Sequence, residues 1–368
     1  MSRILFLAND WFALYNYRKD LLAKLVADGN DVFACVIEDD DNVKLAELGV
    51  KVIAVPMERR GTNPIKDFSV FKAYDKIMRK VKPDIAIAYT IKPCIYGGWA
   101  TRKNKVPFIA TITGLGTAFQ SGRLMKFLVV NMYKVAFKKA RYVFFQNDDN
   151  MQVFLDNKIV KKEQVKRVNG SGVDLEKFKY LEYPKDTINF LFISRILKEK
   201  GIDNYLETAK RIKRKYNNVN FYILGSILDE KYRSIIEELE KQGIVKYEGQ
   251  QSDMIKYQKI NSCTIHPTYY PEGMSNVLLE TLASGRPIIT TDVCGCKEIL
   301  EDGINGYLME KGSTSSLISQ VEKFINLPFD EKIELGKNGR KKIEEQFNRK
   351  DIIDEYYRIV NKILGEKR

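Results

Sequence analysis

The 368 residues exceed what one compact core usually holds, and 44% apolar with 30% charged residues describes two soluble globular domains, excluding a disordered or membrane-spanning chain. The formal net charge of +13 is uneven: residues 1–180 hold 31 Lys+Arg against 19 Asp+Glu, leaving 30 against 29 for the rest. Five scattered cysteines, an odd number, fit buried thiols in a reducing compartment and exclude a disulfide framework or a zinc site.

The chain opens with ILFLA (4–8), a strand pattern stopped by Asn9 and Asp10 and too short for a signal-peptide core. No later run approaches the roughly 18 apolar residues of a spanning helix, so a cytoplasmic location is expected. DVFACVI (31–37), KVIAVP (51–56), DIAIAY (84–89), FIATIT (108–113) and YVFFQ (142–146) follow, each near-continuously apolar, as strands buried on both faces of a parallel sheet are. Helical stretches separate them. In YRKDLLAKLVADG, Leu21, Leu22, Leu25 and Val26 form a stripe and Gly29 a C-terminal stop.

After the polar segment EYPKDT (182–187) the pattern restarts: INFLFIS (188–194), NFYILG (220–225), IVKYEG (244–249), CTIHPT (263–268) and PIITTD (287–292). The expectation is an α/β fold of two Rossmann-like, doubly wound parallel sheets facing across a cleft. Its domains would be 1–182, 183–349, and a C-terminal helix at 350–368 packing back toward the first domain.

The stretch HPTYYPEGMSNVLLETLASGRPIITTD (266–292) carries Glu272 and Glu280 eight positions apart. Wholly helical spacing would separate them by about 12 Å, beyond the roughly 5–9.5 Å of a carboxylate pair acting on one glycosidic bond. Without nearby histidine or aspartate they also make a poor metal site. A loop position for Glu272 and a place two turns into the next helix for Glu280 suit sugar or ribose hydroxyls. The amides of Gly273, Met274 and Ser275 would then form a phosphate-attracting helix N-terminus. The alternative is the wet side of an ordinary helix. Upstream, SRILKEKG (194–201) puts Arg195 and Lys200 after the first strand of the second half, where both cations could meet a diphosphate.

Strand, Ser-Arg-Ile, spacer, Lys-Gly, then E-x7-E and SGRPIITTD resemble family 4 of the retaining glycosyltransferases, whose fold is the two-Rossmann arrangement called GT-B. The resemblance covers essentially the whole chain. It implies that Arg195 and Lys200 neutralise the leaving diphosphate of a nucleotide sugar, that Glu272 contacts the transferred sugar, and that the Gly273–Asn276 backbone helps position it. Glu280 would hold the ribose, and Gly225 and Gly249, which close two strands, are placed with the donor. The implied chemistry uses no cofactor and no divalent ion, the leaving phosphate oxygen taking the acceptor's proton on the same face.

LYNYR (14–18), TIKPCIYG (90–97), TITGLGTAF (111–119), FFQNDD (144–149) and GSGVDLEKF (170–178) resemble the branch that adds an N-acetylhexosamine to undecaprenyl-diphosphate-linked sugars in capsule, O-antigen or glycan assembly. Two departures stand out. Leu14–Tyr17 replace the usual Gly-Gly pair of the loop after the first strand, and Thr113-Gly114 stand where many members have a histidine. Asn16, Arg18, Lys92, Thr113 and the Gly114–Thr117 loop are therefore the candidates for acceptor or sugar contacts. The single histidine, His266, is expected to be buried and bonded to backbone.

No acidic residue lies between Asp84 and Asp148, which points to an anionic partner. The helical stretch RLMKFLVVNMYKVAFKKAR (123–141) gathers Arg123, Lys126, Asn131, Lys134, Lys138 and Arg141 on an arc of about 140°, with Phe127, Val130 and Phe137 inside it. An interfacial helix on an anionic membrane surface is expected, with peripheral attachment to the inner face of the cell membrane; a core helix with snorkelling lysines is the alternative. Nucleic acid is not an expected partner, since it would leave Arg195, Lys200 and the E-x7-E segment unexplained. A nucleotide-sugar 2-epimerase of the same fold would need acid/base groups in which the first half is poor.

Overall fold

A computed structural model describes residues 1–58, 64–116, 119, 122–185 and 187–366. Its packing separates two units, Met1–Ser171 with Lys350–Arg368, and Gly172–Arg349.

In the first unit, β1 (Arg3–Leu7), β2 (Asp31–Val36), β3 (Lys51–Ala54), β4 (Ile85–Tyr89), β5 (Phe108–Ile112), β6 (Tyr142–Phe145) and β7 (Val165–Arg167) form one parallel sheet in the order β3-β2-β1-β4-β5-β6-β7. Alternation along each strand divides the core. Leu5, Leu7, Ala86 and Ala88 face one apolar layer, while Ile4, Phe6, Ile85 and Ile87 face the other, which is completed by Tyr356, Ile359, Val360 and Ile363 of the last helix, Arg349–Gly365. Both faces are covered, which is why these strands read as continuous apolar runs.

In the second unit, β8 (Ile188–Ile193), β9 (Val219–Leu224), β10 (Lys246–Gly249), β11 (Cys263–His266), β12 (Ile288–Thr291) and β13 (Gly306–Met309) are also parallel, in the order β10-β9-β8-β11-β12-β13. The strand order reverses between β1 and β4 in the first sheet and between β8 and β11 in the second. Doubly wound sheets bind ligands beyond the strand ends at such reversals.

The sequence reading missed β7 and β13. Both are edge strands: β7 is three residues with two cations, and β13 begins with glycine. The division falls at Ser171/Gly172, not after residue 182. Residues 172–182 are tied to the second unit: Val173 pairs with Asn348, Phe178 joins the Leu278–Leu282 core, and the buried Arg286 guanidinium donates to the Leu181 and Glu182 carbonyls. Leu14–Arg18 lie inside the helix Trp11–Ala27, which starts at once because Asp10 caps it by accepting from the Ala13 amide; no loop is present there. Among the described residues, no helix is long and apolar enough to cross a membrane.

Candidate active site

The loop leaving β8 is held in place from two sides. The Ile196 amide donates to the Ser226 carbonyl at 2.9 Å and the Leu228 amide to the Ile196 carbonyl at 3.1 Å, so backbone bonds alone fix the turn that presents Arg195. Gly225, just past β9, sits at φ 141° with its Cα so close to the Ser194 carbonyl that a Cβ would collide with it. Its amide reaches the Gly249 carbonyl at 2.8 Å, linking the ends of β9 and β10. At the far end of the loop Gly201 adopts φ 76°, and a side chain there would strike the Pro267 carbonyl. The Lys-Gly pair therefore lets this loop press onto the one leaving β11. The Tyr269 amide donates to the Glu199 carbonyl at 3.1 Å and cements the contact.

These constraints bring three sequence-assigned residues together at the β8/β11 reversal. Lys200 is 4% exposed and its ammonium is in direct ion-pair contact with the Glu272 carboxylate. The Tyr270 ring centroid lies 5.5 Å from the same ammonium. Burial, followed by the positive charge of Arg195, lowers Lys200 to about 8. Arg195 itself remains exposed. Two cations, one buried and one exposed, thus stand close enough for their like charges to oppose one another, with Glu272 paired to the buried one. An anion between them would relieve that repulsion.

Glu272 is anchored through its backbone, its amide donating to the Cys294 carbonyl at 3.0 Å. Gly295, at φ 88°, passes so near Glu272 that an added Cβ would lie 3.0 Å from its backbone. The helix begins at Asn276, later than the sequence suggests, because the Ser275 amide is taken by the Gly295 carbonyl at 2.8 Å and the Met274 side chain is buried in the core. The first-turn amides that lack an intrahelical acceptor are therefore those of Asn276 to Leu278, not of Gly273 to Ser275. Glu280 is the fifth residue of the Asn276–Ala283 helix, little more than one turn in. Burial raises its carboxyl to about 7, opposed by the charges of Lys177 and Arg349.

His266 ends β11 and is buried, but neither ring nitrogen has a hydrogen-bond partner, contrary to the expected backbone bond. Burial and the nearby Lys200 charge push it down to about 3, so it stays neutral. All five cysteines are buried free thiols. Among the described residues, no group of three or more His, Cys, Asp and Glu could hold a metal ion. Gly201, Tyr270 and Gly295 were given no role from sequence; the Lys-Gly pair at 200–201 and the Cys-Gly-Cys triplet at 294–296 were the available signal.

In the first unit the assigned residues are not gathered in this way. Arg18 is 2% exposed, held between the rings of Tyr89 and Tyr356 at 5.0 and 5.1 Å, because position 18 falls on the buried Leu14, Leu21, Leu22, Leu25 face of its helix. Lys92 is spoken for by Asp67 at 2.6 Å and the Glu58 carbonyl at 2.9 Å. The Asn16 amide bonds back to the Phe12 carbonyl of its own helix at 3.0 Å. Thr113 is exposed and Gly114 follows at φ 143°, both just beyond β5, while Thr117 lies outside the described residues.

The helix Arg123–Phe137 presents an apolar surface to solvent: Leu124 is 82% and Phe127 68% exposed, with Leu128 and Val135 also exposed. Val130 and Phe137, expected beside the cations, instead point into the core. The exposed apolar face is centred on Leu124, Leu128 and Val135, and the cations flank it.

Comparison with known proteins agrees with this architecture. Residues 3–147 match the glycosyl transferase 4-like family and residues 174–342 the glycosyl transferases group 1 family. Similar proteins include the Campylobacter jejuni N,N'-diacetylbacillosaminyl-diphospho-undecaprenol alpha-1,3-N-acetylgalactosaminyltransferase, 26% identical over 98% of this chain and 99% of that protein. A capsular polysaccharide biosynthesis glycosyltransferase of Staphylococcus aureus is 27% identical over 85% of each. The Anabaena protein HepE, solved with UDP and glucose, superposes with a TM-score of 0.81 at 16% identity, over 98% of this chain and all of that one. That likeness places the fold among GT-B structures. The glycosyl transferase 4-like match falls in the first unit and the glycosyl transferases group 1 match in the second, so the chain is similar to glycosyltransferases along most of its length.

Proposed function

We propose that the protein is a retaining, metal-independent hexosyltransferase that moves an N-acetylhexosamine from a UDP donor to a lipid-diphosphate-linked acceptor in surface polysaccharide or glycan assembly. The observation that carries this reading is the Lys200–Glu272 contact beside Arg195 at the strand reversal of the second sheet, where two cations lie close together. In the reaction, the bond from the sugar's C1 to the leaving diphosphate oxygen breaks and one to the acceptor oxygen forms on the same face. The acceptor hydroxyl's proton passes to the leaving phosphate oxygen. Arg195 and Lys200 meet the charge that develops there, and these fixed cations, one buried and one exposed, take the place of a divalent ion. Glu272, released from Lys200 as the diphosphate enters, orients the sugar with the help of the Gly273–Asn276 backbone; Glu280, Gly225 and Gly249 serve the nucleotide end.

The lipid-linked acceptor and the N-acetylhexosamine are favoured by the name of the Campylobacter relative. The exposed face of Arg123–Phe137, rimmed by cations, favours peripheral docking on the anionic inner face of the cell membrane. The test is incubation with UDP-N-acetylgalactosamine and an undecaprenyl-diphosphate-linked amino sugar in the presence of EDTA, with the product's anomeric configuration read by NMR. Transfer with retention is expected. Inversion, a requirement for metal, or isomerisation of the donor without acceptor would each contradict part of the proposal.

A further inference from the structure

The helices Ile91–Asn104 and Arg123–Phe137 pack closely where Gly98 meets Ala136; a Cβ on Gly98 would lie 2.8 Å from that of Ala136. Beside this contact a cavity of about 290 Å³ opens at the C-terminal ends of both helices. Thr101, Pro107 and Phe108 are among the residues that line it, and its charged lining is the exposed Arg102, Lys105 and Lys139. No carboxylate among the described residues pairs with any of these three, although the neighbouring Lys103 is paired with Asp75. Arg102 leans over the end of the second helix, donating to the Val135 carbonyl at 3.5 Å. Lys105 ends the first helix in the left-handed conformation, φ 57°, where glycine is the usual choice.

Cations at helix C-termini normally offset the dipoles. Here two helix ends supply about −0.5 each against three full positive charges, which leaves about +2 unanswered. The cavity is at the small end of ligand pockets, about 300–1,000 Å³, too small for a nucleotide sugar and sufficient for a phosphate-bearing headgroup. It also adjoins the apolar helix face: Val135, whose carbonyl receives Arg102, is exposed on the stripe begun by Leu124 and Leu128. We propose that this cavity binds the phosphate of an anionic phospholipid headgroup while the adjoining helix face lies in the interface, so that docking has a specific polar contact as well as an apolar one. The inference rests on the membrane-docking part of the function proposed above, and on the cavity independently of it.

The test compares two variants of equal charge, Arg102→Gln/Lys105→Gln/Lys139→Gln in the cavity and Arg123→Gln/Lys126→Gln/Lys134→Gln along the same helix, by sedimentation of the full chain with phosphatidylcholine vesicles with and without phosphatidylglycerol. Diffuse attraction costs about fivefold per charge in either variant. The cavity variant is expected to lose about tenfold more than the control on phosphatidylglycerol vesicles, and to match the native protein on phosphatidylcholine alone. Equal losses would overturn the cavity while leaving membrane docking intact. A native protein that sediments with no vesicle would overturn docking, and the lipid assignment with it. Saturable binding of inorganic phosphate, measured by calorimetry, with no gain on phosphatidylglycerol vesicles would assign the cavity to a free anion and likewise reject the lipid.

Discussion

The two sheets share one topology, yet their strand reversals are built differently. After β8 and β11, crossed loops bring Arg195, Lys200 and Glu272 together, with a buried ammonium already depressed to about 8. After β1 and β4, the cations are consumed by the fold: Arg18 is clasped by Tyr89 and Tyr356, and Lys92 by Asp67 and the Glu58 carbonyl. The same architecture therefore carries a preformed charged site in one unit. In the other it offers backbone and neutral groups such as Thr113 and Gly114, with its unpaired charge displaced to the Arg123–Phe137 helix and its surroundings. A topological reversal supplies a place for ligands; the side chains that fold leaves unsatisfied decide what kind.

The largest expected difference is in activity. Arg195→Ala and Lys200→Ala should each lower kcat by about 100- to 1,000-fold, measured as initial rates beside thermal melts, and the melting temperature should be little changed for the exposed Arg195. Lys92→Ala should do the reverse. Removing a mostly buried partner strands Asp67, at a cost of about 3 kcal/mol, so denaturant titration should show the loss while donor affinity stays native.

Gly201→Ala should affect both properties in the second unit. Its positive φ and the clash with the Pro267 carbonyl predict about 1–3 kcal/mol of destabilisation and a displaced Lys200, seen as a raised KM for donor.

The smallest effect is a slope. Glu280 titrates near 7 in the folded protein against 4.5 as its ordinary value, so the folded state holds the extra proton between those limits. Its contribution to stability is complete below about pH 4.5 and is lost as pH rises through 7. Melting curves of Glu280→Gln across this window should lack that decline, whereas a profile identical to the native one would remove Glu280 from the account.

Much of this was legible because burial on two faces writes itself as unbroken apolar runs, as in ILFLA and IAIAY. Edge strands such as Val165–Arg167 bury less and left no such mark. The Arg195, Lys200 and Glu272 cluster could be anticipated because each follows a central strand within a few residues and the strand reversal converges those loops. What could not be read was any fate decided by partners distant in the chain. Arg18 looked available until two tyrosines from other elements enclosed it, and the Ser275 amide looked free until Gly295 claimed it. The charge tract was visible, whereas the cavity that singles out Arg102, Lys105 and Lys139 depends on how two helices meet at Gly98 and Ala136.

The central claim is that the second unit's reversal binds the diphosphate of a nucleotide sugar through Arg195 and Lys200. Calorimetric titration of UDP-N-acetylhexosamines into the native protein and into Arg195→Ala and Lys200→Ala, with EDTA present, tests it most directly. The account predicts binding to the native protein that weakens at least about tenfold in each variant. Equal affinity in all three proteins, or binding that appears only with a divalent ion, would contradict it.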